Sequence, residues 1–211
     1  MTLPSSPADP AEPANLYAAP DARIEDPQLA QAAGQRYYVV APRKFLLLYV
    51  MTFSAYSLYW AYRQWSRERR ATGDKLWPVA RSIFQLFFTH ALFQRINTTL
   101  ARTGIAHRWG PATAASVYVV FLLASSVADR IARWQPDSPW PLALSFASLL
   151  PCAWALLQGQ NAANVASDDP TGASNARLSL ANWAWLALGA VGWLMVLGGL
   201  WILANPEQFP R

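Results

Sequence analysis

The sequence predicts an all-α membrane protein, a polytopic bundle of four spanning helices and one amphipathic helix. Of its 211 residues, 54% are hydrophobic and 14% are charged, which is too apolar for an ordinary soluble domain. Four windows hold no Asp, Glu, Lys or Arg, and at about 1.5 Å per residue each can reach across the hydrocarbon core. These windows are residues 45–62, 111–128, 138–167 and 178–206. Many of the 11 tryptophans flank them, as indole rings do at membrane interfaces.

The first 35 residues are predicted to be a disordered tail. They are rich in proline and alanine, and their acidic residues outnumber their one cation, Arg23, whereas the rest of the chain is basic. This composition buries too little apolar surface to fold. The tail also lacks the basic start and apolar run of a cleavable signal peptide, so we expect an internal span to direct membrane insertion.

The remainder, residues 36–211, is predicted to form the membrane bundle. A short extended piece at 37–40 precedes the spans, which are expected at about 45–62, 112–128, 142–157 and 182–204. Pro151 should kink the third span, because proline removes a backbone donor from the helix interior. Three glycines share one face of the last span, where small residues let a neighbouring helix approach closely. They are Gly189, Gly192 and Gly199.

Residues 78–100 are predicted to form an amphipathic helix that opens with a proline, as first turns often do. On a helical wheel Arg81, Gln85 and Thr89 fall in one sector, with Arg95 beside it. Two arrangements fit this pattern: the helix lies flat in the interface, or it is a fifth span whose polar stripe faces other helices. We favour the flat arrangement because arginines flank the stripe.

A basic loop follows the first window and sets the predicted orientation. Its cations favour the cytosol and anionic lipid headgroups, and they are Arg63, Arg67, Arg70 and Lys75. The aromatic side chains expected to anchor this end at the headgroups are Tyr59, Trp60, Tyr62 and Trp65. Basic residues flank window 45–62 on both sides, so a re-entrant segment with both ends in the cytosol is an alternative to a full crossing.

Part of this stretch resembles a pattern found in small bacterial inner-membrane proteins. The pattern is a Thr-x-Gly-x-Tyr-x-x-Tyr-Trp run followed by a basic loop, and here it is matched by Thr52, Tyr56, Tyr59 and Trp60. Ser54 stands where the pattern has glycine. The resemblance covers roughly residues 44–95 and implies a bacterial inner-membrane location. It implies no activity, because the family has none assigned.

Polar side chains within apolar sequence are the candidate ligand-binding residues. On the amphipathic helix they are Arg81, Gln85, His90 and Arg95. Ionisable groups are costly at membrane depth, so in a spanning helix they would mark a contact for an anion, a proton or a lipid, whereas in a flat helix they face headgroups and water. In the connection before the last span they are Asn161, Asn164, Asp168 and Asp169. Their oxygens suit a cation or a lipid headgroup, and the alternative is that they cap helix ends and form turns.

Motifs of several function classes are missing from the sequence. There is no metal-ligand spacing, no nucleotide-binding glycine loop, no G-x-S-x-G segment and no acidic pair suited to acid–base catalysis. We therefore predict no catalytic residue, no metal and no cofactor. The basic residues lie beside the predicted spans rather than in a stripe with stacking aromatics, which disfavours nucleic-acid binding. Cys152, the single cysteine, is expected to be a buried hydrophobe.

Taken together, these features predict a non-enzymatic membrane module. It would associate with membrane lipids, with a protein partner or with copies of itself, through its basic face and its small-residue helix faces. The first alternative is a small oligomeric channel or transporter that uses Arg81, His90, Arg95 and residues 161–169. The second is an enzyme acting on lipid headgroups, with His90 or Asp168 as the base.

Overall fold

A computed structural model describes residues 36–135, 138 and 140–205, and every regular element within them is helical. The α-helices are α1 Pro42–Met51, α2 Tyr56–Thr72, α3 Pro78–Ile83, α4 Gln85–Arg102, α5 Pro111–Trp134, α6 Trp140–Val165 and α7 Leu180–Ala204. A 3₁₀ helix, Ala173–Asn175, lies between α6 and α7. The all-α prediction is thus confirmed for the described residues. The tail predicted at 1–35 lies outside them.

Three of these helices are long and apolar enough to cross a membrane: α5, α6 and α7 as far as Ile202. All three extend beyond their predicted bounds, and α6 runs through Pro151 without interruption. α5 and α6 pack as an antiparallel pair, since Cys152 lies beside the carbonyl oxygen of Tyr118 and Ser145 donates to Asp129. Length and composition therefore support a membrane protein with three candidate spans instead of four.

The first predicted span, residues 45–62, is not one helix, and this corrects the sequence-based prediction. α1 ends at Met51 and α2 begins at Tyr56. Between them Phe53 and Ser54 adopt positive φ angles of 50° and 69°, through which a right-handed helix cannot continue. Ser54 is also the position at which the bacterial pattern has glycine, so the helix breaks here without one.

Thr52 closes this turn, and the two helices form a hairpin. Its hydroxyl donates to the carbonyl oxygen of Leu48 at 2.7 Å and accepts from the N–H of Tyr56 at 2.9 Å. The second bond gives the N–H of Tyr56, at the start of α2, a partner that the break would otherwise remove. We call α1, the turn and α2 the broken hairpin.

The tip of the broken hairpin packs against the glycine face of α7. A Cβ atom on Gly189 would lie 2.1 Å from the carbonyl oxygen of Met51, and one on Gly192 would lie 2.8 Å from the Phe53 ring. The Phe53 ring also stacks on Trp193, with 4.7 Å between ring centroids. At Gly199 a Cβ would meet nothing within 4 Å. Gly189 and Gly192 therefore serve close packing within this chain.

The predicted amphipathic helix is broken at Phe84 into α3 and α4. α3 packs against α2, and α4 packs against α5 and α6. The polar residues turned inward and buried are Ser82, Gln85 and Thr89. The apolar residues exposed on the other side are Ile83, Phe84 and Phe87. These polar residues thus face other helices and not headgroups and water, as the flat arrangement required. Neither α3 nor α4 is among the described helices that are long and apolar enough to cross a membrane.

Candidate functional site

The two ends of the helical bundle differ in charge. One end, which we call the basic end, is where α5 and α7 begin and where α6 and α2 end. Its exposed cations include Arg43, Arg69, Arg70, Lys75, Arg102, Arg108 and Arg177. The opposite end, at the carboxyl terminus of α5, exposes Arg130 and Arg133.

Four amide side chains inside the basic end hold the chain that leads into α1. We call this set the amide clamp, and it consists of Gln64 on α2, Gln160 and Asn164 on α6, and Asn175 of the 3₁₀ helix. Gln64, Gln160 and Asn164 are fully buried at 0% exposure. Buried amides of this kind are stable only when their donors and acceptors are paired.

The amide clamp pairs the backbone of residues 38–40. Gln64 accepts from the N–H of Tyr38 and donates to its carbonyl oxygen, both at 3.0 Å. Asn164 does the same for Val40, at 3.2 and 3.0 Å. Asn175 donates to the Val39 carbonyl oxygen at 2.8 Å. Residues 38–40 lie outside a helix and cannot pair their own peptide groups. The amide side chains therefore supply the hydrogen bonds that a helix would make through its backbone.

A buried carboxylate links three further segments of the basic end. Glu68 is 1% exposed, and its Oε1 accepts from Arg36 Nη2 at 3.2 Å and from Arg95 Nη1 at 3.1 Å. Arg95 Nη1 also donates to Asp74 Oδ2 at 2.7 Å. The hydrogen bond from Arg95 holds the pKa of the Asp74 carboxyl below its ordinary value, and the same bond raises the pKa of Arg95. This network connects α2 and α4 to the chain before α1.

Lys44 is a buried cation near the start of α1. It is 7% exposed, and its Nζ donates to Asn175 Oδ1 and to the Arg177 carbonyl oxygen, both at 2.7 Å. It belongs to none of the ion pairs found among the described residues. Burial lowers the pKa of this ammonium group, as expected for a cation whose partners are neutral.

A cleft of about 270 Å³ opens between the broken hairpin and the first turns of α7. It is lined by Leu48, Thr52, Ala55, Tyr56, Tyr59, Ser179, Ala181, Asn182 and Trp185. Ser179 and Asn182 form a capping box at the start of α7, each side chain bonding to the other's backbone N–H. The cleft is therefore a groove beside a helix N-terminus, with α1 at its back.

The four candidates predicted on the amphipathic helix do not converge on one site. Arg81 stacks over the Trp65 ring with its Cζ 4.4 Å from the centroid, and Arg95 belongs to the Glu68 network. Gln85 is buried between α4 and α5 and accepts from the Tyr118 hydroxyl at 2.9 Å. His90 is exposed, with its Nε2 3.1 Å from the hydroxyl of Ser116.

The candidates predicted before the last span separate in a similar way. Asn164 belongs to the amide clamp, while Asp168 is exposed with a φ of 58°. Asp169 accepts from the N–H groups of Ala173 and Ser174, each at 2.9 Å, so it stabilises the turn before the 3₁₀ helix. These placements match the capping and turn-forming alternative for Asp169. Asn161 is half-buried, and its Oδ1 makes no hydrogen bond to the described residues.

The aromatic anchors predicted at the headgroups divide into two pairs. Tyr59 and Tyr62 are exposed, but Trp60 and Trp65 are each 1% exposed and lie in the protein core, which corrects that prediction. The Trp60 indole N–H donates to Gln160, so a partner inside the protein satisfies it.

The predicted cations beside these aromatics also differ in exposure. Arg63 stacks on Tyr38 and donates to the Tyr59 hydroxyl at 2.9 Å, and Arg67 is half-buried. Arg70 and Lys75 are exposed.

Sequence reasoning missed Lys44, Gln64, Glu68 and Gln160 as structural centres of the basic end. The role of Gln160 could have been predicted, because it lies inside an apolar window where a polar side chain needs a partner within the protein. The sequence indicates the role of Glu68 less clearly: it is an acidic residue among the arginines from Arg67 to Arg70. Within the described ranges no group of three or more His, Cys, Asp or Glu side chains could hold a metal ion.

Comparisons with family models, curated proteins and solved structures found no match to this chain.

Proposed function

We propose that the chain is a multi-pass protein of a bacterial inner membrane that acts as a non-enzymatic module, associating with lipids or a protein partner through its basic end. The observation that carries this proposal is the charge distribution. Exposed Arg and Lys residues gather where α5 and α7 begin, next to long helices with exposed apolar surface. Cations in this position favour the cytosolic side and attract anionic headgroups or an acidic partner.

The interior polar groups support a binding role in a second way. Gln64, Asn164 and Glu68 are engaged with the backbone or with arginines, so their hydrogen bonds hold the basic end together. The cations that remain exposed on its surface are the groups available to a partner. Such a surface favours association over chemistry.

The channel alternative requires its polar residues to line one path. Arg81 stacks on an aromatic core, Arg95 is paired with Glu68 and Asp74, and Asn164 holds Val40. Among the described residues these groups lie in separate places and have partners of their own. The geometry therefore favours the binding module.

Two charge-removal variants test the binding role. We expect native nanodiscs of the wild-type chain to be enriched in anionic lipid, or in one stoichiometric protein, relative to the bulk membrane. A triple variant should lose that enrichment, because it removes three exposed cations of the basic end. Its substitutions are Arg69→Gln, Arg70→Gln and Lys75→Gln. Arg130→Gln with Arg133→Gln, at the opposite end, is the matched control and should keep it. Bulk lipid composition around the wild type, with no retained protein, would contradict the proposal.

A topology map tests the crossing pattern. With three spans and a re-entrant broken hairpin, reporters after Lys75, Arg108 and Gly172 should all lie in the cytosol. A reporter after Gln135 should lie on the other side. A periplasmic signal at Lys75 or Arg108 would mean that the broken hairpin or α3 and α4 cross the membrane.

A further inference from the structure

The cleft between the broken hairpin and α7 has the shape of a groove open to lipid. α7 packs on α1, and the cleft lies where α7 and α2 diverge. The surface around it is strongly apolar: Leu180 is 90% exposed, and Leu58, Trp183 and Leu188 are also exposed. Because α7 is a candidate span, hydrocarbon rather than water would surround this surface.

The lining of the cleft combines apolar walls with a few hydroxyl groups. Leu48, Ala55, Ala181 and Trp185 supply apolar surface. Tyr56 is 8% exposed, and its hydroxyl oxygen is buried without a hydrogen-bond partner among the described residues. A buried polar group without a partner is uncommon and indicates that a ligand or water completes the site.

A buried cation, Lys44, lies close to the residues that line the cleft, although it is not one of them. Lys44 lies one helical turn before the lining residue Leu48, and it bonds to Arg177, two residues before the lining residue Ser179. Two of its three N–H groups have acceptors, and the third has none among the described residues. The first N–H groups of α7, those of Leu180 and Ala181, lie beyond the capping box at the positive end of the helix dipole.

Size restricts the occupant. Ligand pockets for drug-sized molecules usually span about 300–1,000 Å³, so a cleft of about 270 Å³ suits a segment of one acyl chain and not a whole lipid. The rest of the lipid would lie along the exposed apolar surface of α7. The charged headgroup would then reach the mouth.

We propose that this cleft binds one anionic phospholipid from the leaflet at the basic end, with an acyl chain between α2 and α7 and the phosphate at Lys44 and the first turn of α7. The proposal rests on the proposed function, whose ligand class and site it specifies. An acyl chain matches the apolar walls, and its ester carbonyl oxygen is an acceptor for the Tyr56 hydroxyl. A phosphate would give Lys44 the anionic partner that it lacks.

Native mass spectrometry of the full chain in detergent tests this site. The probes are dioleoylphosphatidylglycerol, which is anionic, and dioleoylphosphatidylcholine, which is zwitterionic. We expect the wild type to retain one phosphatidylglycerol at concentrations at which phosphatidylcholine is not retained. Lys44→Met should weaken retention about tenfold, as expected for loss of a charge-assisted hydrogen bond, and Lys44→Arg should keep it.

Matched variants separate the site from general charge and surface effects. Arg130→Met removes an exposed cation at the opposite end of the bundle and should leave retention unchanged. Ala181→Phe fills the cleft and should abolish retention, whereas Ala184→Phe, on an exposed α7 position outside the lining, should not. If Lys44→Met fails to fold, as judged by helicity and elution profile, the Ala181 and Ala184 pair decides the question.

Four results would overturn the proposal. They are retention by Ala181→Phe, equal weakening by Arg130→Met and Lys44→Met, displacement of the lipid by millimolar inorganic phosphate, and a protein cross-linked through position 181 in place of lipid. The charge-removal variants at Arg69, Arg70 and Lys75 lie outside the cleft. If they lose bulk enrichment while Ala181→Phe still retains its lipid, the cleft assignment fails and the proposed function stands. If neither the wild type nor any variant is enriched in lipid or partner, the proposed function fails.

Discussion

α6 and α7 are both apolar enough to cross a membrane, yet one is an interior helix and the other a surface helix. Within their most apolar windows, 33% of α6 is buried and only 11% of α7. α6 carries Gln160 and Asn164, which are fully buried, whereas α7 exposes residues such as Met195 at 74%. Lipid tails are as apolar as leucine, so hydrophobicity does not select the interior helix. Buried polar side chains with partners inside the protein select it, as Gln160 and Asn164 do in α6.

The largest effect should come from breaking the amide clamp on α6. Asn164→Leu removes the partners of the Val40 N–H and carbonyl groups, and Val40 is fully buried. We expect the free energy of unfolding to fall by roughly 2–4 kcal/mol, because each unpaired backbone group costs about 1–3 kcal/mol. Unfolding in mixed detergent micelles measures this loss.

Asn161→Leu is the matched control on the same helix. Its Oδ1 is buried without a hydrogen bond to the described residues, so replacement should be neutral or stabilising. We attribute the interior position of α6 to specific amide hydrogen bonds and not to polarity in general. Equal losses of unfolding free energy in Asn161→Leu and Asn164→Leu would refute this view.

A smaller effect is expected where α7 contacts the broken hairpin. Gly189→Ala places a methyl group 2.1 Å from the Met51 carbonyl oxygen, so the backbone of α1 or α7 must shift. Overpacking of this kind typically lowers the free energy of unfolding by about 1–3 kcal/mol. Gly198→Ala, where nothing lies within 4 Å, should be neutral. The same detergent titration compares the two, and equal behaviour would mean that α7 does not dock on the broken hairpin.

Charge pairing at the basic end should contribute less. Glu68→Gln replaces a buried carboxylate that joins Arg36 and Arg95, and we expect a loss of about 1–2 kcal/mol, because the two arginines are one-third exposed and partly screened. Asp74→Asn, at the exposed end of the same network, should lower the stability less than Glu68→Gln does, because solvent screens this pair. The thermal midpoint in detergent measures both changes. A greater loss for Asp74→Asn would reverse the assignment of Glu68 as the centre of the network.

The smallest effect should be the pH response of the turn between α6 and α7. Although burial acts to raise the pKa of Asp169, the N–H groups of Ser174 and Ala173 hold it below the ordinary value of 3.8. A carboxyl with a lowered pKa in the folded state stabilises fully above that ordinary value and loses the contribution as the pH falls below it. Asp169→Asn should therefore reduce the drop in thermal midpoint between pH 6 and the acid range. An unchanged drop would show that Asp169 does not contribute to acid stability.

Several features were predictable because they depend only on the local sequence. The helical class and the three candidate spans, α5, α6 and α7, follow from long runs without charge. The favoured flat arrangement of the amphipathic helix was wrong about its polar face, since the pattern has the same period whether water or protein contacts the polar stripe. The burial of Trp60 and Trp65 was missed for a related reason, because an indole finds its N–H partner either at an interface or on a distant side chain such as Gln160.

On its own, the sequence determined that α5, α6 and α7 are apolar enough to cross a membrane and that a cluster of cations follows residue 62. Both depend only on the order of charged and apolar residues along the chain. The tertiary structure alone decided that residues 45–62 break into a hairpin and that amides from α2 and α6 hold the backbone near Tyr38. The reason is distance along the chain: Asn164 bonds to Val40 across 124 residues, and Met51 meets Gly189 across a similar separation. Contacts of that range have no periodic signature, so only packing selects them.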